Sequence, residues 1–468
     1  MTTQFISLTA TELVDGYRAG QFTPTEVLAE THARIEEIEP TVNAFYRLEP
    51  EFATAAAEAS TRRWRAGSPI GPIDGVPVTV KENIATVGTP LTGGTAAGAN
   101  NPPATVDGPA AAHITAAGGV RLGKTVMPDF AMLSSGVSSL HGITRSPWNP
   151  EWTVGGSSGG AAAAGAGRMG ALHIGSDIGG SLRLPATWTG LVTLKPSYGV
   201  VPVDPPYMGR AAGPLTRTVA DAALFMSVLA QPDPRDYSQI PTTGWEWATA
   251  ALPLTEDELR GLRIAVHTDA GAGLPTDPVV AAAIHSAAEL FERAGAIVEE
   301  IDPFCTPELL EDLDLFLRTR SWLDVKRLDD ESRRQILPFI LDWVLGAADH
   351  SGADLVDAYQ GIQTLRKTTI EATLGYAFVL SPVSPVVAFP AHWPMPSNSP
   401  ATSLHHIAYT APYNFSEQPA TSINCGFTAD GKPIGLQIAA HRHDDVRLLR
   451  ATAWFEQARP QTARPVWP

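Results

Sequence analysis

Between Thr153 and Val200 two Gly/Ser loops follow each other closely: Gly155-Gly-Ser157-Ser158-Gly-Gly160, then Gly175-Ser-Asp177-Ile-Gly-Gly-Ser181-Leu-Arg183-Leu-Pro185. The first opens onto Ala161–Ala164, a strong helix former, so a helix is expected from about Gly159. The apolar stretch Ala171–Ile174 leads into the second loop and Leu191–Leu194 follows it; both read as short strands. Helices alternating with short apolar strands predict an α/β sheet covered by helices on both faces.

The same alternation extends in both directions. Upstream, Gly75-Val-Pro-Val-Thr-Val80 reads as a buried strand with Lys81 at its end. Residues 82–108 are rich in Gly, Thr, Pro and Asn and read as a long irregular segment, the kind that often carries function. A helix at about 109–118 and a strand at Val120–Thr125 come next. The chain opens with a helix after Thr9 or Thr11, with Leu13 and Tyr17 on one face. A second helix starts at Thr23-Pro24, a cap residue followed by proline at the first helical position. Val27, Leu28, Ile35 and Ile38 form its apolar stripe, and a third helix is expected over Glu51–Arg65. Downstream, the pattern predicts helices at Val219–Leu229, about 277–294 and Asp444–Gln457. Strands are predicted at Leu262–Val266, Ile297–Ile301, Tyr376–Leu380 and Ile434–Ile438. Residues 306–375 read as largely helical, a lobe inserted near the substrate pocket.

The 468 residues are enough for two to four domains or for one large α/β core with an inserted lobe. The hydrophobic share, 44%, supports a substantial core and argues against disorder. The net charge of −16 argues against nucleic acid, whose phosphates need clustered Lys and Arg, and against an anionic membrane surface. Cys305 and Cys425 lie far apart without a metal-ligand pattern and read as buried free thiols. The start, Met1 to Leu8, lacks the basic and long apolar segments of a secretory leader, and no window of about 18 apolar residues exists. A cytoplasmic location is therefore expected.

Each Gly/Ser loop has a bland and a chemical reading. Gly155–Gly160 could be a flexible linker, but glycines before a helix also let backbone N–H groups approach a ligand. A phosphate site is disfavoured, because the loop lacks both the Gly-Lys-Ser/Thr ending and G-x-G-x-x-G spacing. At Gly179-Gly-Ser181 consecutive N–H groups can form a nest for an oxyanion, with Ser181 beside it as a nucleophile in need of a base. No histidine stands near in a recognised arrangement, and His173 in its short strand reads as a core residue. A buried lysine loses proton affinity and can be that base; Lys81, after an apolar strand, fits. Asp177 and Arg183 read as a pair holding the loop, and Ser158 as a loop hydrogen-bond donor.

Together these residues resemble the amidase signature family. The likeness is carried by Lys81 after Val76-Pro-Val-Thr-Val80, by Gly155–Gly160, by Ser176-Asp-Ile-Gly-Gly-Ser181 and by Leu194-Lys-Pro-Ser-Tyr-Gly199. Leu122-Gly-Lys-Thr125, Arg145-Ser-Pro-Trp-Asn149, Gly213-Pro-Leu-Thr-Arg217 and Gly431-Lys-Pro-Ile-Gly-Leu-Gln-Ile438 extend it. It runs from about residue 9 to 457. The resemblance implies one large domain over 1–468 with a mixed central sheet, its catalytic core at 70–220. It further implies that Ser181 is the nucleophile, that Ser157 sits in a cis peptide and bridges to Lys81, and that Ile178, Gly179, Gly180 and Ser181 form the oxyanion hole. Met132 and Leu133 fall where the family lines its acyl pocket. Trp188 and Tyr207 are further pocket candidates, the latter at a rim formed by Pro205-Pro-Tyr207.

Departures from the family pattern fall near the C-terminus, at Glu417-Gln418 and Asn424-Cys425, where the resemblance implies the substrate pocket. The expected activity is cleavage of amide-type C–N bonds in acyl or aryl amides, with carbamates (urethanes) and esters open to the same chemistry. No cofactor or metal is expected; His405-His406 is the nearest candidate pair and reads as surface histidines. The partner is a small-molecule amide or carbamate, with a homodimer left open. The competing readings are the glutaminase component of a tRNA-dependent amidotransferase, a non-catalytic binding protein on the same fold, and a nucleotide-binding protein.

Overall fold

The structure, a computed structural model, describes residues 5–468. Among the described residues thirteen strands form: β1 Phe45–Leu48, β2 Pro77–Lys81, β3 Val120–Thr125, β4 Val137–Ser138, β5 Gly142–Ile143, β6 Leu172–Asp177, β7 Val192–Lys195, β8 Ala211–Thr216, β9 Arg263–Val266, β10 Ile297–Glu300, β11 Phe378–Pro382, β12 Ala420–Phe427 and β13 Pro433–Ala439. Strands β4 and β5 form a small ribbon; the other eleven form one sheet in the order β1-β3-β2-β6-β8-β7-β12-β13-β11-β9-β10. The sheet is mixed. The run β3-β2-β6 is parallel, as is β11-β9-β10, and the strands between them pair antiparallel.

Helices cover both faces. On one, Val78, Val80, Leu172 and Ile174 pack with Leu13, Ile114, Phe225 and Leu449. On the other, Val120, Leu122 and Leu215 pack with Leu28, Ile35, Ala57 and the run Ala161–Ala164. The N-terminal helices start where side chains cap them: Thr9 and Thr23 each accept from the N–H three residues on, and Glu12 and Glu26 reach back to the cap. Pro24 sits in the first turn, where its missing N–H costs nothing.

Several elements differ from the sequence reading. Strand β2 includes Lys81, and β6 runs on to Asp177, so charged side chains occupy strand positions. Strand β8 hides behind Gly213 and Pro214, residues that strands avoid. Close packing dictates the glycine: a Cβ there would meet the Leu194 carbonyl oxygen at 2.2 Å. The helix Arg183–Thr189 carries no amphipathic pattern because all seven of its residues are buried. Strands β1 and β12 likewise escape the sequence reading. Within 306–375 the chain forms the helices Pro307–Lys326, Asp330–Arg333, Pro338–Leu345 and Gly352–Thr373. No helix among the described residues is long and apolar enough to cross a membrane.

Candidate active site

Strands β2 and β6 are parallel neighbours, with Val80 opposite Ile174, so their C-terminal ends lie together. Crevices at such strand ends are where α/β sheets bind ligands. Strand β2 ends in Lys81 and β6 in Ser176-Asp177. The loop before the helix Gly159–Ala166 adds Ser157 and Ser158, through a cis Gly156–Ser157 peptide. Lys81 Nζ lies 2.8 Å from Ser157 Oγ, 2.9 Å from Ser158 Oγ and 3.1 Å from Ser176 Oγ. Ser158 Oγ in turn donates to the Ser176 carbonyl at 3.2 Å. Gly175 makes room for this cluster: a Cβ there would sit 2.6 Å from Ser158 Oγ.

Lys81 is wholly buried, and its pKa falls to about 7 because desolvation disfavours the ammonium. The guanidinium of Arg210 adds to the drop, while Asp177 and Glu82 oppose it. A lowered pKa alone does not single Lys81 out. Burial also brings Lys124 to about 7 and lowers Lys195. The Nζ atoms of those two meet the carbonyls of Ile84 and Pro196, whereas Lys81 meets three hydroxyls. Of the three, Lys81 alone hydrogen-bonds serine hydroxyls that line the cavity.

The loop after β6 is pinned from beneath. Arg183 and Asp177 form a fully buried ion pair at 3.1 Å. Asp177 Oδ1 accepts from Gly180 N–H at 2.7 Å, and Oδ2 accepts from Leu182 N–H at 3.1 Å. Asn414 Nδ2 donates to Asp177 Oδ1 at 2.9 Å, and Arg183 Nη1 donates to Gln437 Oε1 at 2.8 Å. Burial would raise the Asp177 pKa, but Arg183, Asn414 and the backbone donors hold it well below the usual carboxylate range. Of the four residues expected to form the oxyanion hole, Gly180 donates its N–H to Asp177, and Ile178, Gly179 and Ser181 line a cavity. Gly180 has a φ of 123°, a backbone state that demands glycine.

That cavity, of about 300 Å³, is also lined by Ser157, Ser176 and Asp177. Met132 and Leu133 stand on its wall beside Phe130 and Ile407. Trp343 and Leu317 bring the helical segment to it. Trp188 is not on the wall. It is buried behind it, edge-on to Phe389 at 5.2 Å, with Nε1 donating to the Val386 carbonyl. Pro205 lines the cavity but Tyr207 does not; the Tyr207 ring supports the guanidinium of Arg320, which does. The C-terminal departures also stay off the wall: Glu417 pairs with Arg366 and Arg442, and Asn424 donates to the Ala463 carbonyl. His406 is buried rather than on the surface, with Nε2 2.7 Å from Ser134 Oγ, and burial lowers its pKa to about 3. His173 is a core histidine facing Thr79 Oγ1 at 2.8 Å. Cys305 and Cys425 are free thiols, the first buried and the second half-buried. Among the described residues no group of three or more His, Cys, Asp or Glu is placed to hold a metal.

A family model described as Amidase matches residues 26–449. The chain belongs to the amidase family. This amidase is 33% identical to an acylamidase of Rhodococcus erythropolis over 97% of its own length and 96% of that protein's. It is also 33% identical to the A-type component of the glutamyl-tRNA(Gln) amidotransferase of Chloroflexus aurantiacus, over 97% of its own length and 99% of that protein's. The solved structure of a bacterial aryl acylamidase of the amidase signature family matches with a TM-score of 0.88 at 28% identity, covering 96% of each chain. The amidase is thus an amidase signature hydrolase of the amide C–N bond.

The residues that sequence reasoning missed are those whose role depends on a distant segment. Ser176 stood in the motif without a role, and Arg210 and Arg320 had no local signal.

Proposed function

We propose that this amidase works through an acyl-enzyme on Ser181, with Ser157 and Lys81 as the proton relay. Neutral Lys81 Nζ takes the Ser157 hydroxyl proton as Ser157 takes the proton of Ser181. Ser181 Oγ then attacks the substrate carbonyl carbon. The N–H groups of Ile178, Gly179 and Ser181 hold the oxyanion. As the tetrahedral intermediate collapses, the C–N bond breaks and the relay returns the proton to the leaving amine. Water attacks the acyl-enzyme by the same route and restores Ser181. The observation that carries this reading is the 2.8 Å contact between Lys81 Nζ and Ser157 Oγ in a site where burial lowers the lysine pKa to about 7.

The substrates we propose are acyl and aryl amides, with carbamates and esters accepted because they pass through the same acyl or carbamoyl serine. The apolar wall of Phe130, Met132, Leu133 and Trp343 suits them, as does the likeness to the acylamidases. The enzyme acts in the cytoplasm, without nucleic acid or membrane, and a homodimer is compatible with this chemistry. The test is amine release from 4-nitroanilides and aryl carbamates of graded acyl length by wild type and Ser181→Ala. Serine-dependent turnover supports the reading, and turnover that survives Ser181→Ala overturns it. The amidotransferase reading draws on the full-length likeness to the Chloroflexus protein; ammonia release from glutamine on adding the other amidotransferase components would favour it.

A further inference from the structure

Two arginines face the cavity without an ion-pair partner among the described residues. Arg210, on the loop before β8, lines it together with Ser157, Ser176 and Ser181. It is only half-buried by area, and of its five donors Nη1 is used, on the Pro205 carbonyl of its own loop at 3.1 Å. Arg320 reaches the same cavity from the helix Pro307–Lys326. Its guanidinium carbon lies 4.5 Å from the centroid of the Tyr207 ring, a stacking contact that fixes the group and leaves its N–H fork free.

Several other arginines in this chain meet a carboxylate directly, while the buried Arg217 is satisfied by the carbonyls of Gly170 and Leu8. Arg183 meets Asp177, Arg121 meets Glu49 at 2.5 Å, and Arg63 meets Asp74 at 2.5 Å. With 49 acidic residues against 33 basic ones, partners are plentiful. A half-buried guanidinium with unused donors on a cavity wall is able to bind an anion that enters it. Asp204 and Asp324 also line the cavity, and neither is ion-paired with either arginine. The groups acting on Arg210 are Arg320, which adds to burial in lowering its proton affinity, and Asp204 and Asp236, which oppose this. Two like charges are thus held towards one space.

We propose that Arg210 and Arg320 form a carboxylate subsite, so that the amidase takes amides whose acyl or amine part carries a carboxylate remote from the scissile bond. The proposal rests on the amidase reading above and names its substrate class. A guanidinium fork matches a carboxylate in two parallel hydrogen bonds. Such a substrate would bring the missing anion with it, placing its reacting carbonyl towards Ser181 and its apolar stem along Met132 and Leu133.

The test uses near-isosteric pairs: hexanoyl against adipoyl 4-nitroanilide, and 4-methylacetanilide against 4-acetamidobenzoate. The readout is the ratio of kcat/KM for the charged member to that for the neutral one. The ratio should exceed one in the wild type for at least one pair. It should fall about tenfold in Arg210→Met and in Arg320→Met, about 1.4 kcal/mol each, and the Lys variants should recover part of it. A wild-type ratio below one for both pairs, or a ratio unmoved by both substitutions, overturns the subsite. If no anilide is turned over, the amidase reading is what fails. Titration of Ser181→Ala with adipate by calorimetry then decides the subsite: saturable binding lost in Arg210→Met supports it, and no binding overturns it.

Discussion

Replacing Lys81 by Met keeps the length and apolar stem of the side chain and removes the group that exchanges the proton. With a pKa of about 7, half of the lysines are neutral at pH 7. About one in eleven is neutral at pH 6 and about ten in eleven at pH 8, by the ordinary titration relation. Only the neutral amine accepts a proton, so activity is lost as pH falls. Wild-type kcat/KM should therefore rise about tenfold between pH 6 and pH 8. In Lys81→Met this limb should vanish and kcat/KM should drop by about 10²–10⁴-fold, the usual worth of a positioned base. Stability moves the other way. An unfolded lysine holds its proton up to its ordinary pKa of 10.5, and folding at pH 7 works against that proton. Met at this site should melt no lower than the parent, even though it forfeits the contacts to Ser157, Ser158 and Ser176. The assay is a pH series of initial rates on one 4-nitroanilide, beside a thermal melt of both proteins. A folded Lys81→Met enzyme within tenfold of wild type, or a wild-type profile flat from pH 6 to pH 8, would refute the relay.

Asp177→Asn leaves the buried Arg183 guanidinium without its counter-charge and should cost about 3–5 kcal/mol, read by denaturant unfolding, together with a loss of kcat/KM as the Gly180 and Leu182 anchors weaken. Gly175→Ala drives a methyl to 2.6 Å from Ser158 Oγ; kcat/KM should fall at least about tenfold, with an overpacking cost of about 1–3 kcal/mol. Trp188→Ala should cost about 3–5 kcal/mol as a core truncation while the ranking of acyl chain lengths stays the same. Met132→Ala, on the cavity wall, should shift that ranking towards longer acyl groups. A changed ranking in Trp188→Ala and an unchanged one in Met132→Ala would reverse their assignments.

Much of the site was legible because its chemistry lies in short contiguous segments. Glycine pairs beside serines mark places where the backbone must approach closely, and a lysine after an apolar strand marks a desolvated amine. These properties belong to neighbours in the chain; they singled out Lys81 and Ser181 as candidates, and the resemblance to the amidase signature family added Ser157. Legible too were the helices at Pro24–Val42 and Val219–Leu229, whose starts are set by local caps.

What tertiary structure alone decided is whatever depends on residues far apart. The fold brings the Asp177 carboxylate beneath the Gly180 N–H, a contact the order of residues alone does not give. Trp188 follows the nucleophile closely in sequence, yet the short helix from Arg183 to Thr189 turns it into the core against Phe389. Strand β8 carries glycine and proline, and only the approach of Leu194 makes the glycine necessary. Arg210 and Arg320 are more than a hundred residues apart and share a wall only because the helix Pro307–Lys326 reaches the cavity. Sequence fixes the groups and their immediate backbone. Desolvation and charge pairing, which decide what those groups do, depend on every segment the fold brings near.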